Sequence, residues 1–135
     1  MRGICDTGFI VAFLNRDDQY HAWAVALASQ FTEPLLTCEA VLAESAFKVL
    51  SVAAVLKLVR DGMLTISFSL NDNVAQIQEL ALRYEDRQPD LADLCVVRMS
   101  ELYPKHSVVT VDADFRIYRR NKRELIPLIS PRDRA

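Results

Sequence analysis

Glycine and proline are scarce, at 3 and 5 of 135 residues. So few chain breakers exclude a long flexible linker or a low-complexity tract, and imply closely joined, helix-rich elements. Cysteine is present three times, as Cys5, Cys38 and Cys95, with no CxxC spacing. An odd, widely spaced set makes neither a disulfide framework nor a zinc ribbon. Each sits among aliphatic residues and is read as a reduced, buried small hydrophobe of a cytosolic protein. The two histidines, His21 and His106, have no ligand-like spacing. No apolar run is long enough to span a membrane: the longest uncharged stretch, Gln19 to Thr32, contains Gln, His and Ser. Residues 8–14 are apolar but follow Asp6, with only Arg2 ahead and no small-residue cleavage site after, so they do not read as a secretory signal. The expectation is one cytoplasmic domain over residues 1–135.

What the chain does have is core material. Hydrophobic residues make up 51% and charged residues 25%, and a chain of this length hides roughly two thirds of its surface on folding, so no covalent staple is needed. The net charge of −2 conceals an asymmetry. Residues 1–97 hold 7 Lys/Arg against 13 Asp/Glu, whereas residues 98–135 hold 9 against 5. A basic C-terminal quarter on an acidic body suits a polyanion at one edge, or is simply a solvated tail.

Gly3-Ile4-Cys5-Asp6 reads as a short buried strand that ends on an acid, followed by a Thr7-Gly8 turn and the apolar segment Phe9–Leu14. Tyr20, Trp23, Ala24, Leu27, Ala28 and Phe31 fall on one face of a 3.6-residue period, which predicts a helix stopped by Pro34. Leu35-Leu36 is a strand candidate, and Thr37 is expected to cap a helix running through Glu44 to about Leu50. Ser51 caps a helix over Val52–Arg60 that ends at Gly62. Leu64–Phe68 alternates like a strand. Asn71 or Asp72 opens a helix with Val74, Ile77, Leu80, Ala81 and Tyr84 inward. After a loop at Asp86–Pro89, Asp90 caps a helix whose apolar stripe is Leu91, Leu94, Cys95, Met99 and Leu102, broken by Pro104. Ser107–Val111 and Ile126–Ile129 complete the strands. Short apolar strands alternating with helices predict a three-layer α/β/α sandwich around a short parallel sheet.

In such sheets ligands bind beyond the carboxyl ends of the strands. Asp6 and Asp112 close two predicted strands, Asp90 and Asp93 lie in the first turn of a helix, and Glu44 lies mid-helix between apolar neighbours. Each has a plain structural reading: a turn residue, an N-cap, a dipole-compensating acid or a surface acid, with Asp114 capping the next turn. Together they point to one sheet edge. Two carboxylates about 5 Å apart repel by roughly 3 kcal/mol at an effective dielectric near 20, so such a cluster must share protons or bind cations. Oxygen-only donors suit Mg²⁺ or Mn²⁺, the usual apparatus of phosphoryl chemistry.

Four blocks then resemble the PIN domain family, and within it the VapC type of toxin ribonuclease. They are Cys5-Asp6-Thr7-Gly8-Phe9-Ile10-Val11-Ala12, Leu36-Thr37-Cys38-Glu39-Ala40-Val41-Leu42-Ala43-Glu44, Pro89-Asp90-Leu91-Ala92-Asp93, and Val109-Thr110-Val111-Asp112-Ala113-Asp114-Phe115. Their order and spacing fit over essentially the whole chain. Cys5, where an aliphatic residue is commoner, and Leu94, where alanine is common, are departures that remove no acid. The resemblance implies that Asp6, Glu44, Asp93 and Asp112 are the catalytic acids, with Asp6 and Asp93 the main ligands of Mg²⁺ (or Mn²⁺). It makes Asp90 and Asp114 accessory acids, and Thr7 and Thr110 accessory hydroxyls. It implies cleavage of single-stranded RNA by a metal-activated water, a co-expressed antitoxin covering the active-site groove, and a homodimer. The basic run after the fourth acid offers Arg116, Arg119, Arg120 and Lys122 to RNA phosphates and Tyr118 to a base, or is a solvated charge run.

Three other readings fit less well. A phosphoacceptor receiver needs an early acid pair and a lysine soon after a late strand, and a dehalogenase-like phosphatase needs an acid where Gly8 stands. A non-catalytic PIN-like module that binds RNA or protein would be expected to lack one of the four acids.

Overall fold

The computed structural model describes residues 1–131; Arg132 and Arg134, part of the basic C-terminal balance, lie outside them. Five short strands form a parallel sheet in the order β3-β2-β1-β4-β7: β1 Gly3–Cys5, β2 Leu35–Thr37, β3 Leu64–Ile66, β4 Ser107–Val109 and β7 Leu128–Ile129. A two-stranded antiparallel hairpin, β5 Arg119–Arg120 and β6 Glu124–Leu125, stands apart from it. The helices are α1 Thr7–Leu14, α2 His21–Ala28, α3 Glu39–Val49, α4 Val52–Arg60, α5 Val74–Arg83 and α6 Leu91–Leu102. From β1 the chain builds outward through β2 and β3, then returns to add β4 and β7 on the other side of β1. α1 packs on α2 and α3, α3 on α4, and α5 on α6, while α6 lies against β1 and β4 and also meets α3. The reversal falls between β1 and β4, where a parallel sheet opens a crevice at its carboxyl edge.

The core explains the cysteines and the first strand. Ile4, Cys5, Phe9, Cys38, Cys95, Val108 and Val109 are all buried, and the three thiols are free. Phe9 meets Trp23 edge-on, with ring centroids 5.9 Å apart, which ties α1 to α2. Burying a side chain of that size contributes about 1.5–3 kcal/mol. Gly3 allows the sheet to close, because a Cβ there would lie 2.6 Å from Leu35 Cδ2 and 2.9 Å from Val109 Cγ2.

Several expectations hold. The first strand is present but ends at Cys5, one residue before Asp6; Val52–Arg60 is a helix as expected, Ser51 Oγ accepts the Ala54 amide at 3.0 Å, and Gly62 takes φ 83° just past the helix end. Others need correction. Thr37 is the last residue of β2 and Cys38 occupies the cap position of α3; the strand claims Thr37 through its pairing with Ile66. Thr7 and Gly8 are not a turn but the first residues of α1. The second helix ends at Ala28, well before Pro34, although Tyr20, Trp23, Ala24, Leu27, Ala28 and Phe31 do turn to the core. Val74, Leu91 and Leu102 are exposed rather than inward, because each sits at a helix end beyond the packed layer. A short 3-10 turn, Asn71–Asn73, precedes α5, and another at Glu85–Arg87 replaces part of the expected loop. The strands are also shorter than expected, β4 ending at Val109 and β7 starting at Leu128.

Candidate active site

Asp6 follows β1 directly, and its amide donates to Val109 O at 3.1 Å, extending the β1–β4 ladder by one step. Cys5 pairs with Val109 across that ladder, so Thr110 falls opposite Asp6. The Thr110 hydroxyl donates to Asp6 Oδ2 at 2.8 Å and accepts the Asp112 amide at 2.9 Å. Asp112 Oδ1 in turn accepts the Asp114 amide at 2.8 Å, opening the 3-10 turn Ala113–Arg116. Thus Asp112, not Asp114, caps that turn.

The other acids arrive on α6 and α3. Asp90 is the N-cap of α6, its Oδ1 accepting the Asp93 amide at 2.8 Å. That bond places Asp93 at the N-terminal end of the helix. Glu44, half-buried on α3, lies near Asp90, the Thr7 hydroxyl and Lys48.

The electrostatics express this crowding. Asp6 is 4% exposed, and burial pushes its carboxyl up from 3.8 to about 6; the Thr110 hydrogen bond and the Thr7 amide oppose that rise, while Asp112 and Glu44 add to it. Asp93 is pushed up to about 8, first by burial and then by the negative charges of Asp6, Asp90, Asp112 and Glu44. Burial also raises Glu44, reinforced by Asp90 and opposed by Thr7 and Lys48. Five acids from four parts of the chain therefore feel one another at the β1/β4 crevice. Asp114 is exposed, with its amide bonded to Asp112 Oδ1.

Among the described residues, no three His, Cys, Asp or Glu side chains are already set at metal-ligating positions. The chemistry of the donors nevertheless fits a hard divalent cation. They are all oxygens, their mutual repulsion is what a cation relieves, and Thr7 Oγ1 is buried beside them without a hydrogen bond.

Two arginines of the basic segment are engaged with backbone carbonyls. Arg119 Nη1 donates to the carbonyls of Arg116, Ile117 and Tyr118 at 2.7–3.2 Å. Arg120 Nη1 donates to Ser100 O at 2.9 Å and Pro104 O at 3.3 Å, and its Nε meets Glu124 at 3.2 Å. Those carbonyls end α6, about 10 Å along the helix axis from Asp93, so Arg120 serves as a helix C-cap. Arg116 and Lys122 are exposed. Tyr118 needs correction: it is 1% exposed, wedged edge-on between Tyr84 and Phe115, so it cannot stack on a base. Its sequence setting, among charged residues, hid its place in the core. Burial and then the charge of Asp93 push its phenol well above the usual range.

None of the curated proteins compared matches the sequence. A crystal structure of Mycobacterium tuberculosis VapC20, described as a sarcin-ricin loop cleaving toxin, shares the fold: TM-score 0.73, 20% identity, covering 93% of this chain and 99% of that one. The PIN domain family model matches residues 4–121, a span that includes every acid of the crevice. The chain therefore belongs to the PIN domain family.

Proposed function

We propose that the protein is a metal-dependent endoribonuclease of the VapC type that cuts single-stranded RNA. The observation that carries this reading is the gathering of Asp6, Glu44, Asp90, Asp93 and Asp112 from four parts of the chain at the β1/β4 crevice, where burial and the neighbouring acids push the Asp93 carboxyl up to about 8. Such repulsion has no value to a purely structural core, and a bound cation converts it into binding energy. Asp6 and Asp93 would hold Mg²⁺ or Mn²⁺, with Glu44 and Asp112 completing the site directly or through water. When bound, the ion supplies Lewis-acid stabilisation of a phosphodiester and a water of lowered pKa. The chain's own groups supply orientation. Thr110 fixes Asp6, and Asp90 fixes the first turn of α6 beneath Asp93.

The toxin reading adds partners. Phe47, 80% exposed, lines a groove of about 560 Å³ with Leu42, Ala46, Val55, Leu56 and Ile66 between α3, α4 and β3, and Leu50, 88% exposed, directly follows α3. An apolar face of this kind suits a protein contact, here an antitoxin or a second copy of the chain, acting on RNA in the cytoplasm.

The test is Mg²⁺-dependent cleavage of single-stranded RNA by wild type and Asp6→Asn, with Mg²⁺ titration by calorimetry. Cleavage by wild type, lowered at least about a hundredfold in the variant, supports the assignment. Equal cleavage by both ends it, and wild type giving no heat with Mg²⁺ favours the non-catalytic PIN-like module.

A further inference from the structure

A second, cationic cleft lies between α5, α6 and the β5–β6 hairpin. It has a volume of about 200 Å³, and Arg83, Arg98 and Lys122 reach it from three different elements. Its acids are already engaged. Glu101 accepts from Arg98 Nη1 at 3.1 Å and from the Asn121 amide at 2.6 Å, and Glu79 pairs with Arg83 at 2.9 Å. Arg98 is held in place by Asn73 Oδ1, 2.8 Å from its Nε. The Lys122 ammonium has no partner among the described residues, so the cleft keeps an uncompensated positive charge.

The hairpin turn gives a second, independent observation. Asn121 and Lys122 take φ 49° and 71°, consecutive left-handed residues in a geometry for which Asn-Gly is the favoured pair. Lysine at the second position strains the backbone where glycine would not. Strain kept at one position is a sign that the side chain there is used.

We propose that this cleft binds a backbone phosphate of single-stranded RNA at a place separate from the acid crevice, with Lys122 as its principal charge. Arg98 follows Asp93 by five residues on α6, about 7–8 Å along the axis and about 140° around it, so the two places face different sides of the same helix. The identity of the polyanion rests on the ribonuclease reading; the cationic cleft does not.

The test measures binding of a fluorescein-labelled single-stranded RNA by anisotropy, in EDTA so that no cleavage occurs, across a series of salt concentrations. Lys122→Gly removes the charge and relieves the turn, so the variant should melt no lower than wild type. It is expected to bind RNA about threefold or more weakly, with a salt slope smaller by about 0.7; Lys122→Arg should bind as wild type does. Unchanged affinity and slope in a folded Lys122→Gly would overturn the proposal, as would wild type that binds no RNA. If Lys122→Gly melts lower, Lys122→Gln and Arg83→Gln decide by the same two readouts. A separate Mg²⁺ cleavage assay distinguishes the failures: cleavage with unaltered Lys122→Gly binding removes only the cleft, and altered binding without any cleavage removes only the nuclease.

Discussion

The Thr110 hydroxyl joins two acids across the β1–β4 junction, donating to Asp6 Oδ2 at 2.8 Å and accepting the Asp112 amide at 2.9 Å. Thr110 is fully buried, so water cannot substitute for either bond. One side chain thereby fixes the acid that closes β1 and the turn that carries the acid beyond β4. It also favours the charged form of Asp6, against the burial that pushes this carboxyl up.

Thr110→Val keeps the shape and removes both bonds. Stability should fall by about 1–3 kcal/mol, since a buried amide and a buried carboxylate lose partners. The Asp6 carboxyl should also rise further above about 6. A site that needs ionised Asp6 then binds Mg²⁺ more weakly near neutral pH and recovers as the pH is raised. Calorimetric Mg²⁺ titrations across that range check this, with Thr110→Ser as the control that keeps both bonds. A Thr110→Val profile matching wild type would remove Thr110 from the control of Asp6.

Asp93 predicts how the metal-free protein responds to pH. Its folded-state value is raised from 3.8 to about 8, and Asp6 is raised in the same direction to about 6. Between the ordinary and the raised values the folded state holds protons that the unfolded chain has released. Stability from these groups is therefore present at the acid side of the window and lost as pH rises through it. Asp93 is partly open to solvent, so screening limits its share to on the order of 1–2 kcal/mol. In EDTA, the melting temperature of wild type should fall as pH rises towards about 8, and Asp93→Asn should flatten that fall. Added Mg²⁺ should stabilise wild type most at the alkaline end. An equally steep fall in Asp93→Asn would show that the repulsion lies elsewhere.

Much of this crevice was legible in the sequence because it is made from element ends, and element ends carry local signals. Ser51 and Asp90 are oxygen-bearing caps followed by apolar periodicity, and both cap as expected. Asp6 follows a strand too apolar to lie anywhere but the centre of the sheet. Where the signal was weak, the reading failed. Cys38 takes the cap position of α3, but a thiol is a poor capping group, so neighbouring Thr37 drew the assignment. The β5–β6 hairpin escaped because its turn lacks the expected glycine. Tyr118 escaped because burial there depends on Tyr84 and Phe115, contacts that no local pattern encodes.

Gly8 tests how tightly the crevice is assembled. It lies two residues after Asp6, and a Cβ there would collide with Val111 Cγ2. Val111 sits between Thr110 and Asp112, so movement to admit a methyl group would be felt on both sides of the Thr110 bridge. Gly8→Ala is expected to cost about 1–3 kcal/mol, as overpacking does, and to lower RNA cleavage beyond what the unfolded fraction explains. Melting curves combined with cleavage rates well below the melting temperature separate the two effects. Wild-type rates in a destabilised Gly8→Ala would mean that Val111 yields without disturbing the acids.

Leu50 makes the opposite prediction. It ends α3 with φ 58°, in the left-handed region, and its side chain is 88% exposed. That conformation costs an L-residue about 1–2 kcal/mol, while glycine adopts it freely at the position after a helix. Leu50→Gly also loosens the unfolded chain, by about 0.4–1 kcal/mol, so the net gain should be a few tenths of a kcal/mol up to about 1, read as a raised melting temperature. RNA cleavage should be unchanged, because Leu50 touches none of the acids. A strained, solvent-facing leucine has no use to the isolated chain but would serve a protein seated on the α3–α4 groove. Leu50→Gly should therefore be more stable and less well bound by such a partner, a pairing that loss of fold cannot produce. A lower melting temperature would show instead that the leucine side chain packs usefully where it stands.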